Sequence, residues 1–255
     1  MNPYFVVLAR DAKVLPEKMD ELEKLGYPFT VVCGQEVDCA GVVYRKPRGK
    51  FDAINFGLTF VPQDADLIVL NDVDTKIHNF DEALGIVSRE MATLVFARVD
   101  VERGPQLTFY SFLDAVRKRI PIAASGELML INSEFLRRIA PLPRCKAEDS
   151  YILFKALEMG EKVSFCERCY VTTERTKLAG EEEAYKRRTV GGIYQALSKS
   201  KPPAMVRLFY TLLPLVTPLL LIMGEKGYYW AKGILSGFVD YAKGDTGGSW
   251  KPIGS

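Results

Sequence analysis

The sequence predicts an α/β fold, a mostly parallel sheet with helices on both faces, followed by C-terminal membrane helices. Three observations predict it. Short β-rich apolar runs alternate with helical patterns through the first part of the chain. The expected strand Asp66–Leu70 carries the continuous apolar run Leu67–Leu70, of the kind a central parallel strand requires. After Lys201-Pro202-Pro203 the composition shifts, and Leu208 to Met223 contains no charged residue.

The elements follow in order. Tyr4–Ala9 reads as a strand and Pro16–Leu25 as a helix with proline near its first turn. Phe29–Cys33 and Gly41–Tyr44 are further strands. Phe51–Phe60 has helical spacing and leads to the strand at Asp66–Leu70. The helix Asp81–Arg89 then precedes the strand Thr93–Ala97. Leu107–Arg119 reads as a helix, Glu127–Ile131 as a strand, Ala147–Met159 as a helix and Lys162–Thr172 as a strand or hairpin. The expected domains are a catalytic unit over residues 1–200 and a membrane-attachment hairpin and tail over 201–255.

The apolar stretch Leu208–Met223 with its flanks approaches the length that crosses a hydrocarbon core. Pro214 and Pro218 disfavour a soluble helix but are tolerated in a membrane. A second, less apolar segment, Tyr228–Tyr241, carries Trp230 as an interfacial anchor, with Lys232 and Asp240 weighing against a full span. Lysines and arginines gather just before Leu208, so the positive-inside rule places the catalytic unit on the cytoplasmic side of a membrane.

At 255 residues the chain holds one sizeable core, or a core plus a small appendage. A charged fraction of 26% and a hydrophobic fraction of 48% describe a folded protein. A net charge of +2 gives no footprint for nucleic acid, and no nucleic-acid partner is expected. The five cysteines, with no secretory signal, do not form a secreted disulfide framework. Cys166 and Cys169 make a single CxxC, half of a structural zinc site, and read better as strand thiols. Lysine and glutamate outweigh asparagine, glutamine and histidine, a heat-adapted balance in which a Cys33–Cys39 disulfide is open.

Candidate chemistry begins with Asp72-Val73-Asp74, directly after the strand Leu67–Leu70. Carboxylates two apart on an extended chain point the same way, and the end of a parallel strand is where open α/β sheets bind ligands. Two hard oxygen donors suit Mn2+ or Mg2+, with phosphate oxygens and water completing the shell. The bland alternative is a solvated acidic loop. Glu148-Asp149 opens a helix, where acids also simply complement the dipole; the functional reading makes one of them a general base for a hydroxyl. Arg187-Arg188 serves either anionic headgroups or a leaving diphosphate. His78 is read on a loop in a surface or capping role, with approach to a metal as its alternative.

The order of these pieces resembles the family-two inverting glycosyltransferases, over roughly four fifths of the chain. Lys50-Phe51-Asp52-Ala53-Ile54-Asn55-Phe56-Gly57-Leu58 is similar to the family's lysine-initiated Ala-x-Asn-x-Gly-Leu helix. Ala124-Ser125-Gly126 to Ile131 looks like the acceptor-side strand, and Glu148-Asp149 through Gly160-Glu161-Lys162-Val163 looks like the ED motif and its sequel. Tyr185-Lys186-Arg187-Arg188-Thr189-Val190-Gly191-Gly192 resembles the Q-x-x-R-W-x-x-G stretch of cellulose-synthase-like members.

The resemblance implies a GT-A, Rossmann-like fold and a metal-dependent hexosyltransferase. Asp72 and Asp74 would hold the metal and the donor diphosphate, and Lys50 would lie near the donor. Asp149 would be the catalytic base with Glu148 beside it, and Arg188 would contact the leaving diphosphate or the site's lid. Tyr185 and Thr189 replace the glutamine and tryptophan of the processive members. With a single membrane hairpin, that points to addition of one sugar to a lipid-linked glycan or a polyprenyl phosphate. The donor implied first is GDP-mannose, with a UDP-hexose as the alternative. The strand ending at Cys33-Gly34 lacks the aspartate that many relatives use near the base, which leaves Arg10, Asp11 and Gln35 at hand. The rivals are a nucleotidyltransferase, for which Ala9-Arg10-Asp11-Ala12 offers no glycine-rich loop, and a membrane-bound nucleotide-sugar-binding protein without turnover.

Overall fold

Strand β1 (Pro3–Ala9) is buried along its whole length, and the sheet is built outward from it. The computed structural model describes residues 1–101, 115, 117–118, 120–173 and 179–244. The expected helix over Leu107–Arg119 lies outside them apart from three positions.

To one side of β1 lie β2 (Phe29–Cys33) and β3 (Val42–Tyr44), both parallel to their neighbours, and to the other lies parallel β4 (Leu67–Asp72). Beyond β4 the sheet changes character. β7 (Leu128–Asn132) inserts antiparallel between β4 and β6 (Leu94–Val101). β8 (Val163–Thr173) then runs parallel to β6, and β5 (Thr75–His78) closes the edge antiparallel to β8. The order is β3-β2-β1-β4-β7-β6-β8-β5. Six of the eight strands therefore run the same way, as expected of a mostly parallel sheet, and it is mixed only through β7 and β5, which run against them.

The pleat divides β1 between two cores. Tyr4, Val6 and Leu8 join Ile68, Leu70, Phe96 and Met129 on one face. Phe5, Val7 and Ala9 join Val31, Val69, Val95 and Leu130 on the other. The first face carries α2 (Lys50–Gly57), α4 (Ser133–Ile139) and α5 (Glu148–Glu158). The second carries α1 (Leu15–Leu25) and α3 (Phe80–Glu90). Helix α1 has proline at its first turn and ends on Gly26 at φ 72°, a left-handed cap that glycine adopts without strain.

Several elements were not legible locally. Helix α4 spans only seven residues, capped by the Asn132 side chain, which accepts from the Phe135 N–H at 3.0 Å. His78 lies on strand β5, not on a loop. Its ring stacks on Tyr170 with centroids 4.6 Å apart, and Nε2 lies 3.1 Å from the Thr172 hydroxyl. Lys162–Thr172 resolves into one long strand with a bulge. Ala97 pairs with Cys166 and Arg98 with Tyr170, so Glu167–Cys169 are extra residues on β8. The two CxxC thiols are buried in that bulge, and all five cysteines are free thiols, Cys33 and Cys39 included.

Three helical segments complete the chain: α6 (Ala179–Ser198), α7 (Ala204–Val216) with a 3-10 extension over Thr217–Met223, and α8 (Gly224–Ala242). Ala204–Met223 is the one stretch among the described residues that is long and apolar enough to cross a membrane. Pro214 has no N–H for the Tyr210 carbonyl one turn earlier, and the Tyr194 hydroxyl of α6 donates to that carbonyl at 2.7 Å. The proline thus fits a helix docked on protein.

The second expected membrane segment packs on protein as well. Gly233 and Gly237 of α8 let the backbones of α6 and α8 meet. A Cβ would stand 2.7 Å from the Glu183 carbonyl oxygen at Gly233, and 2.5 Å from that of Arg187 at Gly237. Trp230 is buried, with Lys186 Nζ 3.7 Å from a ring centroid, and is no interfacial anchor. Lys232 and Asp240 pair with Glu183 and Arg187 of α6, so the charges of α8 are met by its neighbour.

Gly57 shows how closely α2 sits on the sheet: a Cβ there would lie 2.4 Å from Val6 Cγ1 and 3.1 Å from Val32 Cγ2. Gly57→Ala is expected to lower stability by about 1–3 kcal/mol through overpacking, read as a fall in the denaturant midpoint at unchanged slope.

Candidate active site

Asp72 is the last residue of β4, in register with Leu8 of β1. Its side chain follows Ile68 and Leu70 onto the face that carries α2 and α5. The expected extended geometry of the DxD is modified, because Val73 and Asp74 form a turn directly into β5. Asp72 is consequently half-buried while Asp74 is exposed. The turn is held from beneath by Asn71, on the opposite face. Its Nδ2 donates to the Thr75 hydroxyl at 2.9 Å and to the Glu127 carbonyl at 2.7 Å, while Thr75 Oγ1 donates to the Asp72 carbonyl at 2.8 Å.

Lys50 opens α2 immediately after Gly49, whose φ of 118° is left-handed and favours glycine. Its ammonium reaches across to Asp72, with Nζ 2.8 Å from Oδ1 and 3.0 Å from Oδ2. The same nitrogen donates to the Gly126 carbonyl at 3.1 Å and lies 3.4 Å from Glu148 Oε1. One cation therefore ties β4, the loop before β7 and the start of α5 together.

Glu148 and Asp149 form the first turn of α5, and the Ser150 N–H donates to Asp149 Oδ1 at 2.7 Å. Glu148 turns inward and is 6% exposed; Asp149 is half-buried. Gly126 makes room for Asp149, since a Cβ there would stand 3.1 Å from Asp149 Cβ and 3.3 Å from its Oδ2. Both candidate general bases thus lie on the same side of the sheet as Asp72, joined to it through Lys50 and Gly126.

Burial sets the electrostatics. It pushes the Asp72 carboxyl up to about 6, against the opposing pull of Lys50, with Asp74 adding to the rise. Burial likewise raises Glu148 and Asp149, with Lys50 again the main opposing charge. Burial works against the charge of Lys50, yet Asp72 and Glu148 together carry its pKa above the ordinary lysine range. A partly desolvated carboxylate whose proton affinity is raised toward neutrality is suited to take a proton from a hydroxyl.

The two arginines part company. On α6, Arg188 shares a helical face with Gly192 and Gln195, at spacings of four and seven. That face meets the start of α5: a Cβ on Gly192 would lie 2.7 Å from the Ala147 nitrogen, and Gln195 Oε1 accepts from the Lys146 N–H at 3.1 Å. Arg188 itself lies with its guanidinium carbon 5.5 Å from the Tyr185 ring centroid. Arg187 turns away to α8 and grips Asp240 through Nε at 2.6 Å and Nη2 at 2.8 Å. The expectation that both arginines face the donor is corrected for Arg187 by its bidentate pair, since adjacent helical residues project about 100° apart.

Sequence reasoning placed Lys50 near a donor but missed its bond to Asp72 and Glu148. Tyr210, on α7, was missed altogether. Its hydroxyl donates to the Ile122 carbonyl at 2.7 Å, just before the Ser125-Gly126 stretch, and burial, the main cause, raises its pKa, with Asp149 adding to the rise. No motif marks it. Near the end of β1, the loop Arg10–Ala12 meets the end of β2: Gln35 Oε1 accepts from the Ala12 N–H at 3.3 Å, and a Cβ on Gly34 would lie 2.4 Å from the Arg10 carbonyl oxygen.

The donor set fits a hard divalent cation. Asp72 and Asp74 offer carboxylate oxygen only, and no group of three or more metal-binding side chains is gathered among the described residues. Two carboxylates with the remaining positions left to phosphate and water is how Mg2+ or Mn2+ is held in phosphate-handling sites.

No protein-family model and no curated protein matches this sequence. Solved structures do. The mannosyltransferase PcManGT from Pyrobaculum calidifontis, in complex with GDP-Man and Mn2+, aligns over 94% of this chain and 87% of its own, with a TM-score of 0.71 at 18% identity. GalNAc-T7 with UDP, GalNAc and Mn2+ aligns over 95% of this chain and 56% of its own, with a TM-score of 0.58 at 13% identity. TarS residues 1–349 from S. aureus align over 96% and 92%, with a TM-score of 0.54 at 13% identity. These are GT-A glycosyltransferases, and the likeness is one of fold.

Removing the central cation tests the cluster. Lys50→Met leaves Asp72 and Glu148 without their partner, and about 2–3 kcal/mol of stability should be lost at pH 8, between the values for exposed and buried pairs. Loss of the lysine raises both carboxyl pKa values further, so protonation relieves the repulsion as pH falls. Urea unfolding at pH 8 and pH 5 should therefore show the larger deficit at pH 8; an equal deficit would count against the charge network.

Proposed function

We propose that the protein is an inverting, metal-dependent glycosyltransferase that moves a hexose from a nucleotide sugar to a lipid-linked acceptor at a membrane. The observation that carries this reading is the shared contact of Lys50 with Asp72 and Glu148. Through it the DxD strand and the acidic first turn of α5 stand at one site. A diphosphate-binding pair and a desolvated carboxylate at one site are the two halves that a single displacement needs. The GT-A fold supports the reading by analogy.

In this mechanism Asp72 and Asp74 would hold Mn2+ or Mg2+, which would supply charge neutralisation for the departing diphosphate. Asp149 takes the proton from the acceptor hydroxyl as its oxygen forms the new bond to the anomeric carbon. The bond from that carbon to the diphosphate oxygen breaks on the opposite side, and the nucleoside diphosphate leaves with the electron pair. Glu148 and Lys50 keep Asp149 and Asp72 at a fixed separation. Arg188 lies on the α6 face that meets α5 and serves the leaving group.

GDP-mannose is the first donor to test, the nucleotide sugar bound in PcManGT, and a UDP-hexose is the second. A lipid-linked glycan or a polyprenyl phosphate is the acceptor class, handled on the cytoplasmic side, where sugar nucleotides are made. For a polyprenyl phosphate the acceptor is already ionised, so its oxygen attacks the anomeric carbon with no proton to remove.

Membranes carrying the full chain, mixed with labelled sugar nucleotides, Mn2+ and a lipid extract, should place label in the organic phase. A chelator should abolish the transfer and restored Mn2+ should return it. No metal-dependent label from any donor would overturn the proposal. Asp149→Asn should slow transfer to a hydroxyl acceptor by about 10²–10⁴-fold while donor and Mn2+ binding, read by calorimetry, persist. Wild-type turnover in that variant would remove Asp149 from its role.

A further inference from the structure

The segment Ala204–Met223 carries two stripes of opposite fate. Val206, Tyr210 and Thr217 are buried, and Leu213 and Leu220 on the same stripe are partly buried. Leu208, Leu212, Leu215, Leu219 and Ile222 repeat at the same spacing two residues out of phase. Two residues are about 200° of helical turn, so this second stripe faces away from the protein. It is strongly exposed, 74% at Leu215, 66% at Leu219 and 86% at Ile222. A contiguous apolar stripe of this kind marks a surface that is covered in use.

The buried stripe determines what can cover it. Tyr210, midway along α7, donates to the Ile122 carbonyl and its own carbonyl accepts from Tyr194. Further on, the Leu220 carbonyl lies against Gly227 of α8, where a Cβ would stand 1.7 Å from that oxygen. The folded domain therefore runs alongside the helix from end to end. A helix so backed cannot be threaded across a bilayer without drawing the polar surface of the domain into hydrocarbon. It can lie flat at the interface, with one face in the acyl region and the other on the protein.

Charge complementarity names the partner. From Lys199 to Met223 the sequence has no acidic residue, and Lys199, Lys201 and Arg207 are exposed at the end where the helix begins. A basic end on an apolar stripe suits anionic headgroups above an acyl layer. We infer that Ala204–Met223 is a monotopic docking helix that seats the protein in one leaflet of an anionic membrane. The inference deepens the proposed transfer to a lipid-linked acceptor and rests on it for the choice of a lipid surface. Because Tyr210 anchors this helix to Ile122, just before Gly126, docking brings the Asp149 side of the site to the membrane plane. Acceptors held in that leaflet then arrive without leaving it.

The full chain is tested by flotation on phosphatidylcholine vesicles with and without added anionic phosphatidylglycerol, to which basic segments are attracted. Wild type should float with the anionic vesicles and bind them at least tenfold more weakly in high salt. Leu215→Glu with Leu219→Glu should bind at least tenfold more weakly than wild type while keeping its melting temperature and its donor affinity. A fluorophore on Leu208→Cys or on Ile222→Cys, with exposed Cys39 replaced by serine, reports depth through lipid nitroxides.

Equal, shallow quenching at both positions supports the flat helix, and quenching that puts Ile222 in the opposite leaflet overturns it. Failure of wild type to bind either vesicle also overturns it. So does a soluble dimer that the double variant dissociates, since a second copy would then be the cover. Vesicle binding without sugar transfer would leave the docking standing and refute the proposed function instead.

Discussion

The structure depends on one ammonium group. Lys50 Nζ stands among Asp72, Glu148 and the Gly126 carbonyl, three groups from distant parts of the chain. Two half-buried or buried carboxylates beside a third would repel one another and bind protons. A cation at bonding distance from two of them keeps the cluster charged and compact. The same contact fixes the end of the central strand against the start of α5, so the electrostatics of the site and the packing of its elements are one problem.

The pleat then assigns the work around that cation. Asp72 lies on the face of Leu70 and meets Lys50, whereas Asn71 lies on the face of Val69 and braces the turn that carries Asp74. Glycine does the complementary task of making room. At Gly49 it supplies a left-handed residue just ahead of the lysine; at Gly126 it admits Asp149. A side chain at either position would separate groups that the carboxylate cluster needs close together, either by straining the entry to α2 or by pushing α5 outward.

What was legible in the sequence was local. β1, α1, β4 and α5 were readable because each buries a face whose period is written in consecutive residues, and their ends carry proline, glycine or acids in the expected places. The antiparallel insertion of β7 was not, since a continuous apolar run looks the same in either direction and only its partners decide. β5 was hidden by its four-residue length and gains its stability from pairing with β8. In the site, Asp72, Asp74, Glu148 and Asp149 were recognisable by type and position. The bridging by Lys50 was not, because it joins residues 22 and 98 positions apart. Arg187 and Arg188 were indistinguishable until α6 was seen to be a helix that sends one to Asp240.

The C-terminal segments carry the same lesson into the overall design. By hydropathy they form a graded pair, one more apolar than the other, and a hairpin was the natural reading. Glycines decide against it: Gly191, Gly233 and Gly237 let α6 and α8 touch along their backbones, so α8 is consumed in holding α6. Helix α6 in turn presents Gly192 and Gln195 to the start of α5 and Tyr194 to α7. Through α6, the helix that supports the candidate base is coupled to the helix that leaves its apolar stripe uncovered. The stripe and Asp149 are thus linked by a chain of packed side chains and hydrogen bonds. The placement of the base and the seating of the exposed stripe thereby share α6 as their common support.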